Sequence, residues 1–284
     1  MGPDQRTHLC RRGSGGERNS YVNVVETDHP ALELLADRIL RDYDAQTPGT
    51  VFAEGLRLSI DDAWKLQDAV ARLRERRGEQ VAGYKIGCAC PGNRKSNGLS
   101  HPVSGRLWTS EQHPDGAALS KSDFANLAIE GEFAILLSRN IDPGCASIEM
   151  IVDSTERVFP VIELHNLVFR GADPKGPELI ANNAIHCGVV RGVGCQTPTE
   201  AVDTDLSITF DGEPVEAWSK IRWPEDILQS VAWLAERLNE TGYSLQRGQT
   251  ILTGAFGPPL PVSDISRVRV VSSRFGEVAA RFDV

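Results

Sequence analysis

The sequence predicts a strand-rich α+β fold with N-terminal helices, and three observations predict it. Two amphipathic helical patterns fill the region up to residue 80, short β-favouring runs bounded by Gly, Pro and Asp follow towards the C-terminus, and a strong helix breaks into those runs once. The regular strand–helix alternation of a parallel α/β sheet is missing, and no Walker or GxGxxG motif follows a strand.

Residues 1–26 read as a flexible N-terminal tail, polar and Gly-rich, without the apolar segment of a secretory signal. The remainder, 27–284, reads as a single domain with a helical lead-in over 27–80 and a β core over 81–284. Leu32, Leu35, Ile39 and Leu40 form the stripe of the first helix, which starts near Asp28 or His29 and ends by Pro48-Gly49. The second runs from a Ser59 cap, with Asp62 three residues on, to about Arg77, and buries Ala63, Leu66, Val70 and Leu73. Strands are expected in VAGYKIG, LAIEGEFAILL, VFPVIEL, HCGVVRGVG, TILTGAF, VRVVSS and VAARFDV, with a hairpin turning at Asp211-Gly212. Helices are expected from Ser147 to Arg157 and from Trp223-Pro224-Glu225-Asp226 to a stop at Gly242, and Cys90 to Gly105 reads as a loop long enough to be a lid.

Composition narrows the function. Thirty Lys plus Arg against thirty-nine Asp plus Glu give a formal charge of −9, which disfavours a broad nucleic-acid face. The longest apolar runs, of the AILL and LVF kind, fall far short of the roughly 18 residues that span a bilayer, so a cytoplasmic protein with no membrane partner is expected. Six cysteines in a chain of 284 residues read as reduced thiols; Cys88 and Cys90 could also bind a soft metal, but no second pair stands at zinc-site spacing.

The chemistry concentrates in LAIEGEFAILL. Strand alternation points Glu130 and Glu132 to one face, about 7 Å apart, while Ile129, Phe133 and Ile135 take the other. Two readings are open: a solvated edge face guarding against aggregation, or a buried pair neutralised by a cation. Glu163, inside the apolar run VFPVIEL, tips the balance, because an unpaired carboxylate is rarely found there. Three carboxylates without a Cys or His pair in register make an all-oxygen site suited to Mg²⁺ or Mn²⁺. Lys85, in GYKIG, either snorkels to water or, beside the ion, holds an anionic substrate or moves a proton, burial and the cation lowering its pKa.

The ordered set GYKIG, HPVSGRL, IEGEFAILL, PVIEL, ANNAIHCGVV, LQRGQTILTGAFGPPLPV and FGEVAARF resembles the 2-keto-4-pentenoate hydratase and 4-oxalocrotonate decarboxylase branch of the fumarylacetoacetate hydrolase superfamily, over about residues 30 to 284. The resemblance implies a distorted β-barrel or β-roll core and a homo-oligomer. It implies that Glu130, Glu132 and Glu163 ligate Mg²⁺ or Mn²⁺ and that Lys85 is the catalytic lysine. The implied reaction is a hydro-lyase step of aromatic-compound catabolism on a small 2-oxo acid, hydrating a 2-hydroxydienoate to a 4-hydroxy-2-oxo acid. Decarboxylation, C–C hydrolysis and a non-catalytic partner of an active paralogue are the alternatives; retention of the three Glu and Lys85 speaks against the last.

This chain departs from the family pattern where Ser100, Asn166 and Asn182 stand in place of usual acids. Serine cannot shuttle a proton as a carboxylate does, and His101 beside it is either a substitute acid–base or an exposed loop histidine. Thr253 matches a pocket-lining family segment, so its hydroxyl either binds the substrate carboxylate or serves the strand. His165 and His186 match no family position and read as packed or surface residues rather than ligands.

Overall fold

A computed structural model describes residues 29–142, 144, 146–166 and 175–283. The expected tail, together with Cys10 and Cys145, lies outside them. The lead-in helices are α1 (His29–Asp44) and α2 (Ile60–Arg76). Ser59 caps α2 by accepting the Asp62 N–H at 3.1 Å, and Asp61 and Asp62 place negative charge at the positive end of the helix. Then follow β1 (Val81–Gly87), α3 (Pro91–Ser96), β2 (Val103–Trp108), β3 (Gln112–Pro114), β4 (Ala117–Ser120), β5 (Leu127–Leu137), α4 (Ile148–Ser154) and β6 (Thr155–Asn166). The chain continues through α5 (Gly176–Ala181), β7 (His186–Arg191), β8 (Cys195–Gln196), β9 (Val202–Phe210), β10 (Glu213–Trp223) and α6 (Glu225–Glu240). It closes with β11 (Thr250–Leu252), β12 (Leu260–Pro261), β13 (Arg267–Ser272) and β14 (Gly276–Asp283).

Two expectations need correcting. The stretch Cys90 to Gly105 is not all loop: Pro91 at N1 starts the short helix α3, and β2 begins at Val103 because it pairs with Gly87 of β1. The helix expected to reach Arg157 ends at Ser154, since Thr155 and Arg157 already pair with Leu137 and Leu136.

The larger sheet, in the order β2-β1-β11-β5-β6-β7-β3, curls into a half-barrel, and β10-β9-β13-β14-β4 form a second sheet. The faces of β5 show how the two are divided. Ile129, Phe133 and Ile135 face the main core with Ile208, Val268, Val270 and Val278 of the second sheet. The opposite, inner face carries Ala134, Val161 and Leu252 in a smaller apolar floor with Leu107, Phe159 and Val189. Helix α6 adds Ile227, Val231 and Leu234 to the main core. Helices α1 and α2 pack Ala36, Ile39, Ala63 and Leu66 against Ile180, Ala181 and Ala184, pressing that segment onto β2. Among the described residues no helix is long and apolar enough to cross a membrane.

The pressed segment is backbone-strained. Asn183, Ala184 and Ile185 have φ of 54°, 51° and 58°, a run of left-handed residues with no glycine and a β-branched member. Asn183 ties it down by accepting the Arg106 N–H at 2.7 Å and donating to the Arg106 carbonyl at 2.8 Å. Gly105 makes this approach feasible, because a Cβ there would stand 2.4 Å from the Asn183 carbonyl oxygen.

Burial also predicts an alkaline limit. Burial pushes the Cys187 thiol well above its ordinary 9.0, with Glu111 and Glu163 adding to it, and burial raises the Tyr84 phenol above 10.0. The unfolded chain releases these protons first, so their contribution is whole below pH 9 and is lost above it, by up to about 1.4 kcal/mol per pH unit per group. The melting temperature is expected to decline from about pH 9 and more steeply beyond pH 10; a flat profile between pH 8 and 11 contradicts this.

Candidate metal centre

The β5–β6 pairing sets the site. Glu130 lies directly opposite Glu163, Glu132 opposite Val161, and Ala128 opposite His165, so Glu130, Glu132, Glu163 and His165 all occupy the inner face. Lys85 reaches the same face through β11, since it pairs with Leu252, which pairs with Ala134 of β5. Glu132 and Glu163 are fully buried, and Lys85 is 2% exposed.

Glu163 is the hub. Its Oε1 lies 3.2 Å from Lys85 Nζ and 2.7 Å from His186 Nδ1, while its Oε2 lies 3.4 Å from His165 Nε2. His165 Nε2 is also 3.2 Å from Glu130 Oε2. Lys85 Nζ donates to the carbonyl of Ala184 at 3.3 Å, the one exposed to it by the left-handed turn. Glu132 accepts the Gly254 N–H through Oε2. That amide is aimed by Ser230 of α6, whose hydroxyl donates to the Thr253 carbonyl at 2.6 Å, and by the Thr253 N–H, which donates to Phe133 O at 3.0 Å. Gly254 has φ of 102°, and a Cβ there would meet that of Ala89 at 2.9 Å.

The electrostatics follow from this crowding. Burial, together with the Glu163 charge, raises the Glu132 carboxyl well above its ordinary value. Burial pushes Glu163 the same way, but Lys85 and His165 overcome it and hold the carboxyl well below. Burial lowers the imidazole of His165, yet Glu163 and Glu130 outweigh this and bring it up to about 9. For Lys85 burial acts downward, but Glu163, Glu130 and Glu132 together raise its amine.

Three buried atoms of the cluster, Glu132 Oε1, Glu163 Oε2 and His165 Nε2, have no hydrogen-bond partner among the described residues. Desolvated acceptors left unpaired are costly, and a divalent cation satisfies them together. The donor atoms of Glu130, Glu163 and His165 lie within 4.8 Å of one another, so the residues fit an ion. Beside the expected carboxylates, the group that could hold an ion includes a nitrogen, His165 Nε2. His165, expected as a packed or surface residue, is packed into the cluster. The signal was present: Glu163-x-His165 repeats the two-residue spacing that put Glu130 and Glu132 on one face.

The other expected contacts lie elsewhere. Ser100 and His101 are exposed after α3. Thr253 is buried, with its hydroxyl donating to Phe133 O at 3.1 Å, which is the strand role. Asn166, where an acid was the family habit, accepts the Ala125 N–H at 3.1 Å. Cys88 and Cys90 are free thiols, as are Cys187 and Cys195. A cleft of about 430 Å³, bordered by Tyr43, Phe52, Arg74, Asn166, Asn182 and His186, ends one hydrogen bond away from Glu163.

The curled sheet that carries the carboxylates and the buried lysine, with helices packed across its strained edge, is a fumarylacetoacetate hydrolase-like fold, and the solved structures agree. The 4-oxalocrotonate decarboxylase from Pseudomonas putida G7, solved with magnesium and adipate, superposes with a TM-score of 0.81 over 90% of this chain and 99% of its own, at 23% identity. In sequence the chain is 28% identical over 225 residues to 2-keto-4-pentenoate hydratase from Burkholderia vietnamiensis, covering 78% of this chain and 85% of that protein. It is 27% identical over 229 residues to the 4-oxalocrotonate decarboxylase of Pseudomonas putida, covering 79% and 86%. No family model matches the chain. In sequence the chain is thus similar to named hydratases and a decarboxylase, and in fold to a solved 4-oxalocrotonate decarboxylase.

Proposed function

We propose that the protein is a divalent-metal-dependent hydro-lyase that converts a short 2-hydroxydienoate, through its 2-oxo-enoate form, to a 4-hydroxy-2-oxo acid. The observation that carries this reading is the buried convergence of Lys85 on Glu163 beside Glu130 and Glu132, with orphaned oxygens facing inward. The likeness to a named hydratase supports it. Glu130, Glu132 and Glu163 would hold the ion, Mg²⁺ or Mn²⁺ as the resemblance implies, and it would supply Lewis-acid stabilisation of negative charge on the 2-oxo oxygen.

The chain's own residues do the rest. Lys85 Nζ, steadied by Glu163 and the Ala184 carbonyl, gives a proton to the carbon chain and recovers one from the 2-hydroxyl as the dienol becomes a ketone. Water then adds across the remaining double bond. The apolar floor of Leu107, Phe159 and Leu252 keeps bulk water from the lysine. We place the protein in the cytoplasm as a homo-oligomer acting in aromatic-compound catabolism. A second reading, loss of CO₂ from a dioic 2-oxo acid through the same enolate, has the named decarboxylase relative in its favour.

Ser100 bears on which reading holds, because chelation needs only the ion whereas protonation far along the substrate needs a group on the lid. The wild type is expected to be a poor hydratase of 2-hydroxypenta-2,4-dienoate, and Ser100→Asp is expected to be faster, by up to the ~10² to 10⁴ that a positioned acid–base contributes. Loss of dienol absorbance at saturating metal is the measurement. Fast wild-type turnover with no gain in Ser100→Asp shows that another group, His101 first, already does this work.

A further inference from the structure

The pattern at His165 is not that of an ordinary imidazole–carboxylate pair. Charge-assisted N–H···O bonds run to about 2.7–2.9 Å, whereas His165 Nε2 stands 3.2 Å from Glu130 Oε2 and 3.4 Å from Glu163 Oε2 and hydrogen-bonds to neither. Atoms that bind one ion at about 2.1 Å, at angles between octahedral and tetrahedral, lie about 3.0–3.4 Å from each other. The two separations around Nε2 therefore match the spacing of neighbouring ligands. Glu130 and Glu163 are paired across the β5–β6 ladder, and His165 shares the strand and face of Glu163, so rigid backbone holds all three.

We propose that His165 Nε2 is a ligand beside Glu130 and Glu163, making a mixed nitrogen–oxygen centre whose resident ion is a first-row transition ion of the Mn²⁺, Fe²⁺ or Co²⁺ class rather than Mg²⁺. This rests on the metal-dependent reading above. Mg²⁺ is a hard ion that favours oxygen and retains water, while imidazole suits the later divalent ions, and affinity rises along the series from Mn²⁺ towards Cu²⁺. One neutral nitrogen in place of an oxygen thus weakens the grip on Mg²⁺ and strengthens that on Co²⁺. The competing arrangement is a permanent imidazolium of His165 lying between the two carboxylates in the ion's stead.

The test uses the full chain stripped with a chelator. Calorimetric titration with Co²⁺ and Mg²⁺ is expected to give tighter binding of Co²⁺ than of Mg²⁺. His165→Gln is expected to reduce Co²⁺ affinity by at least the ~10-fold that even an outer hydrogen-bond partner is worth, and to change Mg²⁺ affinity less. Pulsed electron paramagnetic resonance of the Mn²⁺-loaded wild type is expected to show ¹⁴N modulation from a bound imidazole, absent in His165→Gln; this readout stands even where the variant folds poorly. Mn²⁺ bound without nitrogen modulation, or a Co²⁺ to Mg²⁺ ratio unchanged in His165→Gln, overturns the nitrogen ligand and leaves the carboxylate centre intact. Failure of the wild type to bind any of the three ions overturns both this proposal and the metal-dependent reading, in favour of the imidazolium.

Discussion

Lys85→Ala is expected to lose about 10² to 10⁴ of turnover on a 2-hydroxydienoate, because among the described residues Lys85 is the buried lysine that meets the cluster. Lys85→Arg is expected to fail as well. Its guanidinium keeps the positive charge beside Glu163 but does not deprotonate in proteins, so it cannot carry the proton. Steady-state rates for both variants, with metal affinity measured alongside, separate the two functions of the residue. If Lys85→Arg turns over like the wild type, the lysine is a charge only and the proton path lies elsewhere. Removing the ammonium also leaves Glu163 with one cationic neighbour fewer in a fully buried setting, so Lys85→Ala is expected to melt lower than Lys85→Arg.

Glu132→Gln is expected to uncouple metal binding from stability. Calorimetry should show divalent-ion affinity falling by at least ~10-fold, since an amide oxygen is a neutral and weaker ligand. The metal-free variant is expected to be as stable as the wild type or more so. Glu132 has its carboxyl raised far above 4.5 by burial and by Glu163, so the folded chain prefers it protonated, and glutamine imitates that form. The sign is specific: the gain is absent below about pH 4.5, where the unfolded carboxyl is also protonated, and grows as pH rises above it. Unchanged ion binding in the variant rejects Glu132 as a ligand. Residues kept for a ligand at a cost in stability are a common feature of active sites.

How much of this was legible in the sequence depends on whether local periodicity carried it. Ser59 and the stripe from Ala63 to Leu73 announce α2, and it forms from Ile60 to Arg76. Strand alternation alone put Glu130 and Glu132 on one face and marked Glu163 as anomalous. What alternation cannot supply is register. Glu130 faces Glu163 only because β5 and β6 pair at that offset, and Lys85 reaches Glu163 across β11, a strand about 165 residues further along the chain. His186 is further hidden, since it joins the hub across a register shift between Leu164 and His165. The left-handed residues 183–185 contain no glycine to announce them; the packing of α1 and α2 from outside and the Asn183 bonds to the Arg106 backbone account for their persistence.

That turn determines something about the lysine that neither its charge nor its burial does. An ammonium carries three hydrogens. One is committed to the Ala184 carbonyl and one to Glu163 Oε1, which leaves a single hydrogen with no acceptor among the described residues. The peptide carbonyl cannot titrate, and when the amine is neutral His165 and His186 still hold Glu163 low, so both anchors persist. On deprotonation it is the uncommitted hydrogen that departs, and the lone pair inherits its direction. A strained stretch of main chain, remote in sequence from Lys85, thereby gives the amine a compass bearing.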